Sequence, residues 1–152
     1  MGEVRFYHLT QRPLEAVLPI MLERSLSRGW RVLIRGTEPA RLNSLDAHLW
    51  THAEESFLPH GQAGQGRDED QPILLSSEPG CPNGAEALFL IDGAESPTEE
   101  MTAMAMTAIL FDDGDKAALE HARGQWRSIA GSGLKAVYWA QGPRGWEKKA
   151  ES

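Results

Sequence analysis

The run Ala87-Leu88-Phe89-Leu90-Ile91 constrains this chain more than any other feature. It offers no polar position to either face, so as a strand it needs apolar cover on both sides. That is the situation of a parallel strand inside an α/β sheet rather than of a half-solvated antiparallel one. Strand and helix patterns alternate around it. Val4 to Leu9 reads as a first strand. Pro13 then opens a helix carrying Leu14, Val17, Leu18, Met21, Leu22 and Leu26 at helical spacing up to Arg28, and Gly29 ends it. Trp30 to Ile34 reads as a second strand. The next helix runs from Pro39 to about Leu49, with Leu42, Leu45 and Leu49 inward.

The segment from Pro59 to Gln71 is polar, glycine-bearing and without apolar period, and reads as a loop. Ile73 to Leu75 makes a short strand. Pro97 to about Met106 reads as a helix, Ala108 to Phe111 as a strand, and Leu134 to Trp139 as the last strand. Between those two strands a helix capped by Asp113 runs to about Ile129. The expected fold is a single α/β domain over residues 1–140. Its sheet is mostly parallel with helices on both faces, a Rossmann-like three-layer arrangement without a dinucleotide fingerprint. Residues 141–152 are expected to form a flexible C-terminal tail.

Composition narrows the function classes. The 152 residues carry a net charge of −7, unevenly spread: residues 1–66 are neutral, residues 67–115 hold twelve acids against the single base Arg67, and residues 116–152 hold seven bases against three acids. Such a chain is a poor wrapper of duplex DNA, yet its basic last quarter suits a small acidic ligand or peptide. Cys81 stands alone, which leaves no internal disulfide or thiolate cage and makes a reducing cytoplasm the expected compartment. No apolar run is long enough to span a bilayer, and the start lacks the pattern of a signal peptide.

Catalytic and cofactor patterns are sparse. After the first strand comes Thr10-Gln11-Arg12-Pro13 rather than a glycine fingerprint, and no phosphate-loop Gly-Lys-Ser/Thr occurs. His48 and His52 lie four apart, but read as two partly exposed histidines rather than as a metal pair. Asp112-Asp113-Gly114-Asp115 lacks the spaced oxygens of a calcium loop and suits helix capping better. No serine or cysteine sits beside an activating base. We therefore expect no metal, no cofactor and no catalytic activity by the chain itself.

Two features suit binding. In the first, a helix ends in Leu45-Asp46-Ala47-His48-Leu49-Trp50, and Phe57-Leu58-Pro59 follows seven residues on, before a polar loop. Large aromatics beside a loop are frequent anchors for a partner, and Phe57-Leu58 as a core strand with Trp50 plugging the helix end is the plainer alternative. In the second, Lys116, Arg123 and Arg127 fall within about 40° of one another on a helical wheel. Leu119, Ala122, Trp126 and Ile129 form the adjoining apolar arc. A basic ridge beside an apolar seam fits an acidic peptide ending in a hydrophobic residue and a carboxylate; a solvated amphipathic helix has the same pattern.

Taken together, the opening Val4-Arg5-Phe6-Tyr7, the strand Gly29-Trp30-Arg31-Val32-Leu33-Ile34, the Leu45-Asp46-x-x-Leu49-Trp50 motif and Glu55-Ser56-Phe57-Leu58-Pro59-His60 resemble the chi subunit family of bacterial DNA polymerase III. Phe111-Asp112, the basic helix and Ala130-Gly131 are also similar, so that the resemblance covers most of the chain. It implies a non-catalytic replication subunit with two partners. One is the psi subunit of the clamp loader, met at Trp50, Phe57, Leu58 and Pro59. The other is the acidic C-terminal tail of single-stranded-DNA-binding protein, held by Lys116, Arg123, Trp126 and Arg127, so that DNA is reached mainly indirectly. A rival expectation is a nucleotide- or small-molecule-binding α/β enzyme using the Gly61–Gly66 loop. A third is direct single-strand binding through the basic helix and Trp126.

Overall fold

The computed structural model describes residues 2–51, 60–62, 69, 71–78, 80–143 and 145–151, with backbone alone at 50, 51 and 60–62. Strands β1 (Glu3–Leu9), β2 (Val32–Arg35), β3 (His60–Gln62), β4 (Ile73–Ser76), β5 (Ala87–Leu90), β6 (Met106–Asp112), β7 (Ala136–Gly142) and β8 (Gly145–Glu151) form one sheet. Its order is β3-β4-β2-β5-β6-β1-β7-β8. All neighbours run parallel except β7 and β8. Helices α1 (Leu14–Ser27), α2 (Pro39–Thr51), α3 (Thr98–Ala103) and α4 (Lys116–Gly131) complete the fold.

Side chains alternate across a strand, and here the alternation builds two cores. Val32, Ile34, Ile73, Leu75 and Phe89 point to one face, where Leu18 and Leu22 of α1 and Leu42, Leu45 and Leu49 of α2 cover them. Leu33, Leu74, Leu88, Leu90, Val4 and Phe6 point to the other, under Met101 of α3 and Ala122 and Ile129 of α4. The all-apolar run at β5 is thus explained, since Leu88 and Phe89 are both buried, on opposite faces.

Proline shapes the α1–α2 layer. Pro19 lies inside α1 and has no N–H, so the carbonyl of Glu15 one turn earlier loses its helical donor. His48 of α2 supplies one instead, donating from Nε2 at 2.8 Å to the Glu15 oxygen. Because a carbonyl only accepts, this bond fixes the proton on Nε2. The histidine expected to be merely half-exposed thus joins two helices.

Several boundaries differ from expectation. Asp115, not Asp113, caps α4, its carboxylate accepting from the Ala117 and Ala118 amides at 2.9 and 3.1 Å. Asp112 turns back onto the Gly114 amide, and Asp113 reaches His8. Helix α3 stops at Ala103 because Met104 is already extended, and the Ala105 amide bonds Glu86 at the start of β6. Within the expected loop 59–71, residues His60–Gln62 pair with β4 as a short edge strand.

Nor do the described residues of 141–152 form a loose tail: Gly142 and Gly145 close a hairpin whose second strand is β8. Gly145 has φ +122, a conformation that glycine adopts without strain. Trp146 packs edge-on against Tyr7 with ring centres 5.0 Å apart, and the Lys148–Glu151 and Lys149–Glu147 pairs line the outer strand. Four charged residues among the seven of β8 suit an exposed edge strand, but they leave no apolar period by which the sequence could mark it.

The third layer is tied to the sheet by charge. The Arg35 guanidinium at the end of β2 is buried and forms a two-pronged pair with Glu100 of α3, Nη2 to Oε2 at 3.0 Å and Nη1 to Oε1. The Ser96 hydroxyl also donates to Glu100. Hydrogen bonding from Arg35 holds the Glu100 carboxyl below its ordinary value near 4.5, outweighing its partial burial. A depressed carboxyl stabilises the fold above its unfolded-state pKa and withdraws that contribution as pH falls through the folded-state value. Urea titrations should therefore show stability declining below about pH 5. Glu100→Ala should remove about 3 kcal/mol at neutral pH, since it strands a buried guanidinium, and should flatten that acid limb.

Candidate functional site

The basic ridge lies on α4, which packs across β6, β1 and β7. Ala122 and Ile129 point into the core, Leu119 and Trp126 are half-buried beside them, and Lys116, Arg123 and Arg127 are exposed. The Trp126 ring is held edge-on against Phe6 and Tyr138, with centre distances of 5.3 and 6.1 Å. The cations therefore flank an apolar wall whose orientation is fixed from beneath. Arg123 is bonded to Glu120 at 2.9 Å, but both side chains are about two-thirds exposed, so a competing carboxylate displaces that pair at little cost. Lys116 and Arg127 have no carboxylate partner among the described residues.

Below the ridge lies a relay that the sequence pattern did not single out. The His8 ring, stacked on Phe111, is 2.7 Å through Nε2 from Asp113 and 2.8 Å through Nδ1 from the Tyr138 hydroxyl. Burial pushes the Tyr138 phenol up, reinforced by Asp113 and opposed by Arg123. A phenol held protonated is no nucleophile; it fixes the Tyr138 ring on which Trp126 rests. Residues 8, 113 and 138 are joined only by sheet topology, β1 lying between β6 and β7, so no local motif marks them.

The other expected surface is at the far end of the sheet. Trp50 falls in the last turn of α2, which packs beside β3 and β4, and Leu45 and Leu49 are buried as expected. Phe57, Leu58 and Pro59 lie outside the described residues. Four to six strand spacings separate β3 from the strands beneath α4, β6 to β7, on the order of 19–29 Å. The helices α2 and α4 also cover opposite faces.

The crevice at the carboxyl ends of the strands, where α/β sheets commonly take nucleotides, has a different character. Its volume is about 580 Å³, and Glu15, Asp92, Asp112 and Asp115 line it. Its one arginine, Arg41, is already engaged by Glu15 and by Asp92. The Thr10, Gln11 and Arg12 amides after β1 form an anion-binding nest, but the Gln141 side-chain oxygen fills it, accepting from all three at 2.8–3.0 Å. A polyphosphate would meet four carboxylates and a satisfied nest. Residues Gly61–Gly66 of the expected nucleotide loop lie beyond the described residues except for the backbone of Gly61 and Gln62.

Among the described residues no group of three or more His, Cys, Asp or Glu side chains is arranged to hold a metal ion, and no helix is long and apolar enough to cross a membrane. His52 lies outside the described residues. Cys81 is occupied within its loop, its sulfur accepting from the Ala85 amide at 3.2 Å.

Comparison with known proteins bears directly on the resemblance. Residues 1–137 match the family model described as DNA polymerase III chi subunit, HolC. A protein of Rickettsia prowazekii (strain Madrid E), named "Probable DNA polymerase III subunit chi", is 26% identical over 99 residues. That alignment covers 65% of this chain and 58% of the relative.

If the Tyr138 hydroxyl positions the ring beneath Trp126, Tyr138→Phe should cost about 1 kcal/mol in urea unfolding, the net worth of one hydrogen bond. A loss indistinguishable from zero would show that the relay contributes nothing to the wall.

Proposed function

The chain belongs to the DNA polymerase III chi subunit family, a family of replication accessory subunits, and from that premise we propose that it is a two-sided tether. One side engages the psi subunit of the clamp loader, and the other holds the acidic C-terminal tail of single-stranded-DNA-binding protein. The observation that carries this reading is the exposed strip Lys116–Arg123–Arg127 beside the fixed Trp126 wall, on the opposite face and at the opposite end of the sheet from the end of α2.

A peptide ending in a hydrophobic residue and a carboxylate has two needs, an apolar surface and a cation within reach of its terminus. The α4 strip offers both, and acidic residues upstream in such a tail would extend along Lys116, Arg123 and Arg127. The expected psi anchors, Trp50, Phe57, Leu58 and Pro59, span the end of α2 and the approach to edge strand β3. Separation of the two surfaces by the width of the sheet lets both partners bind at once without collision. Neither role requires a nucleophile, a cofactor or a moving proton, in keeping with a fold whose crevice is acidic and whose backbone nest is filled. Association with DNA through the partners also suits a chain of net charge −7 better than broad contact with a duplex.

Calorimetry with a purified psi subunit should show binding to the wild-type chain and its loss in Phe57→Ala, with the thermal midpoint unchanged. Undiminished affinity in the variant would remove the psi assignment. Titration with an acidic tail peptide tests the other side. The Arg123→Ala/Arg127→Ala double variant should bind at least tenfold more weakly, and wild-type affinity should fall as salt is raised. Salt-insensitive binding, or full affinity in the double variant, would dismiss the ridge.

A further inference from the structure

A second cationic surface lies on the other face of the molecule, where α1 stops short of the β1–β7–β8 edge. Helix α1 ends in a tight cap: Gly29 takes φ +79, and the Trp30 amide returns to the Ser25 carbonyl at 3.1 Å. This folds Trp30 back along the last turn, where the Arg28 guanidinium lies over its ring at 5.1 Å. Across from it, Tyr7 of β1 is in register with Trp139 of β7, and Trp146 of β8 packs edge-on against Tyr7. These four half-buried rings, with Arg24 and Arg28, line an open cleft of about 190 Å³. Arg5 also lines it, but is already paired with Glu3. Arg24 and Arg28 are exposed, and among the described residues they have no carboxylate partner and no acidic side chain lines the cleft.

We propose that this cleft binds single-stranded nucleic acid, stacking bases on Trp139 and Trp146 while Arg24 and Arg28, the latter steadied on Trp30, meet the phosphates. Charge complementarity and ring content select this occupant. Unpaired bases present bare π-faces joined by a regular anionic backbone, which is what an aromatic floor with a guanidinium rim recognises. A duplex keeps its bases inside the stack, and an acidic peptide would satisfy the arginines while leaving the Trp139 and Trp146 indoles without stacking partners. The assignment is independent of the tether reading. It uses the opposite face from α4, and Trp139 and Trp146 lie beyond residues 1–137 that match the family.

Three of the five tryptophans line the cleft, so intrinsic fluorescence reports on it. An oligothymidylate of about 12 nucleotides, added to the full chain at low salt, should quench the signal saturably. Affinity should fall with salt at a log–log slope of roughly −1.4 for two phosphates. Arg24→Glu/Arg28→Glu, two exposed helix positions whose exchange leaves the core intact, should abolish quenching. Trp146→Phe should bind more tightly than Trp146→Ala, the latter weakened about five- to a hundredfold. Arg123→Ala/Arg127→Ala should bind the oligonucleotide as wild type does, even where it fails to bind the acidic peptide. Absence of saturable quenching, binding that persists in the Arg24→Glu/Arg28→Glu variant, or binding lost through the α4 variant would overturn the proposal. So would an acidic peptide that occupies the cleft when the oligonucleotide does not.

Discussion

The rest of this molecule depends on a sheet whose central strands are apolar on both faces. Leu88 and Leu90 belong to one core, and Phe89 between them belongs to the other. A slip of one residue in β5 would exchange the two sets, setting leucines against α1 and α2 where Phe89 now packs. Register is thereby fixed from both sides at once, and with it the relative position of two helix layers that share few direct contacts. The helices α2 and α4 owe their relative placement on opposite faces to that double constraint on the sheet.

Polar interactions refine this sheet rather than build it. His48 restores to Glu15 the donor that Pro19 withholds, Gln141 quiets three amides after β1, and the Arg35–Glu100 pair fastens α3. Each resolves a local cost left by the backbone or by burial, because a buried polar group without a partner costs more than the bond that satisfies it contributes. Gln141 in addition fills the backbone nest after β1, a place where an α/β fold commonly receives a phosphate.

How far the sequence disclosed this varied with how local the cause was. The apolar run at β5, the periodic leucines of α1 and α2 and the amphipathic α4 follow from neighbours within one turn or one strand, and they fold as their periods require. Asp115 rather than Asp113 became the cap because Asp113 is drawn away to His8, a partner more than a hundred residues distant. Strand β3 is too short to show a period, and β8 is mostly charged with no apolar alternation, so only pairing with a neighbour reveals either. On α4 the ridge was legible from helical geometry alone, whereas the Tyr138 support beneath Trp126 and the aromatic cleft around Tyr7 arise from strands that meet only in the folded sheet.

The antiparallel β8 has an effect outside the domain as well. Without it, β7 would present its open hydrogen-bonding side to any passing extended chain. With it, the exposed rim carries Glu147, Lys148, Lys149 and Glu151, and a like rim approaching it would have to strip water from those charges before gaining a single backbone bond. The hairpin is thus a guard against fibrillar self-pairing, and a cell crowded with nascent chains would penalise its loss through lower solubility before any loss of binding was felt.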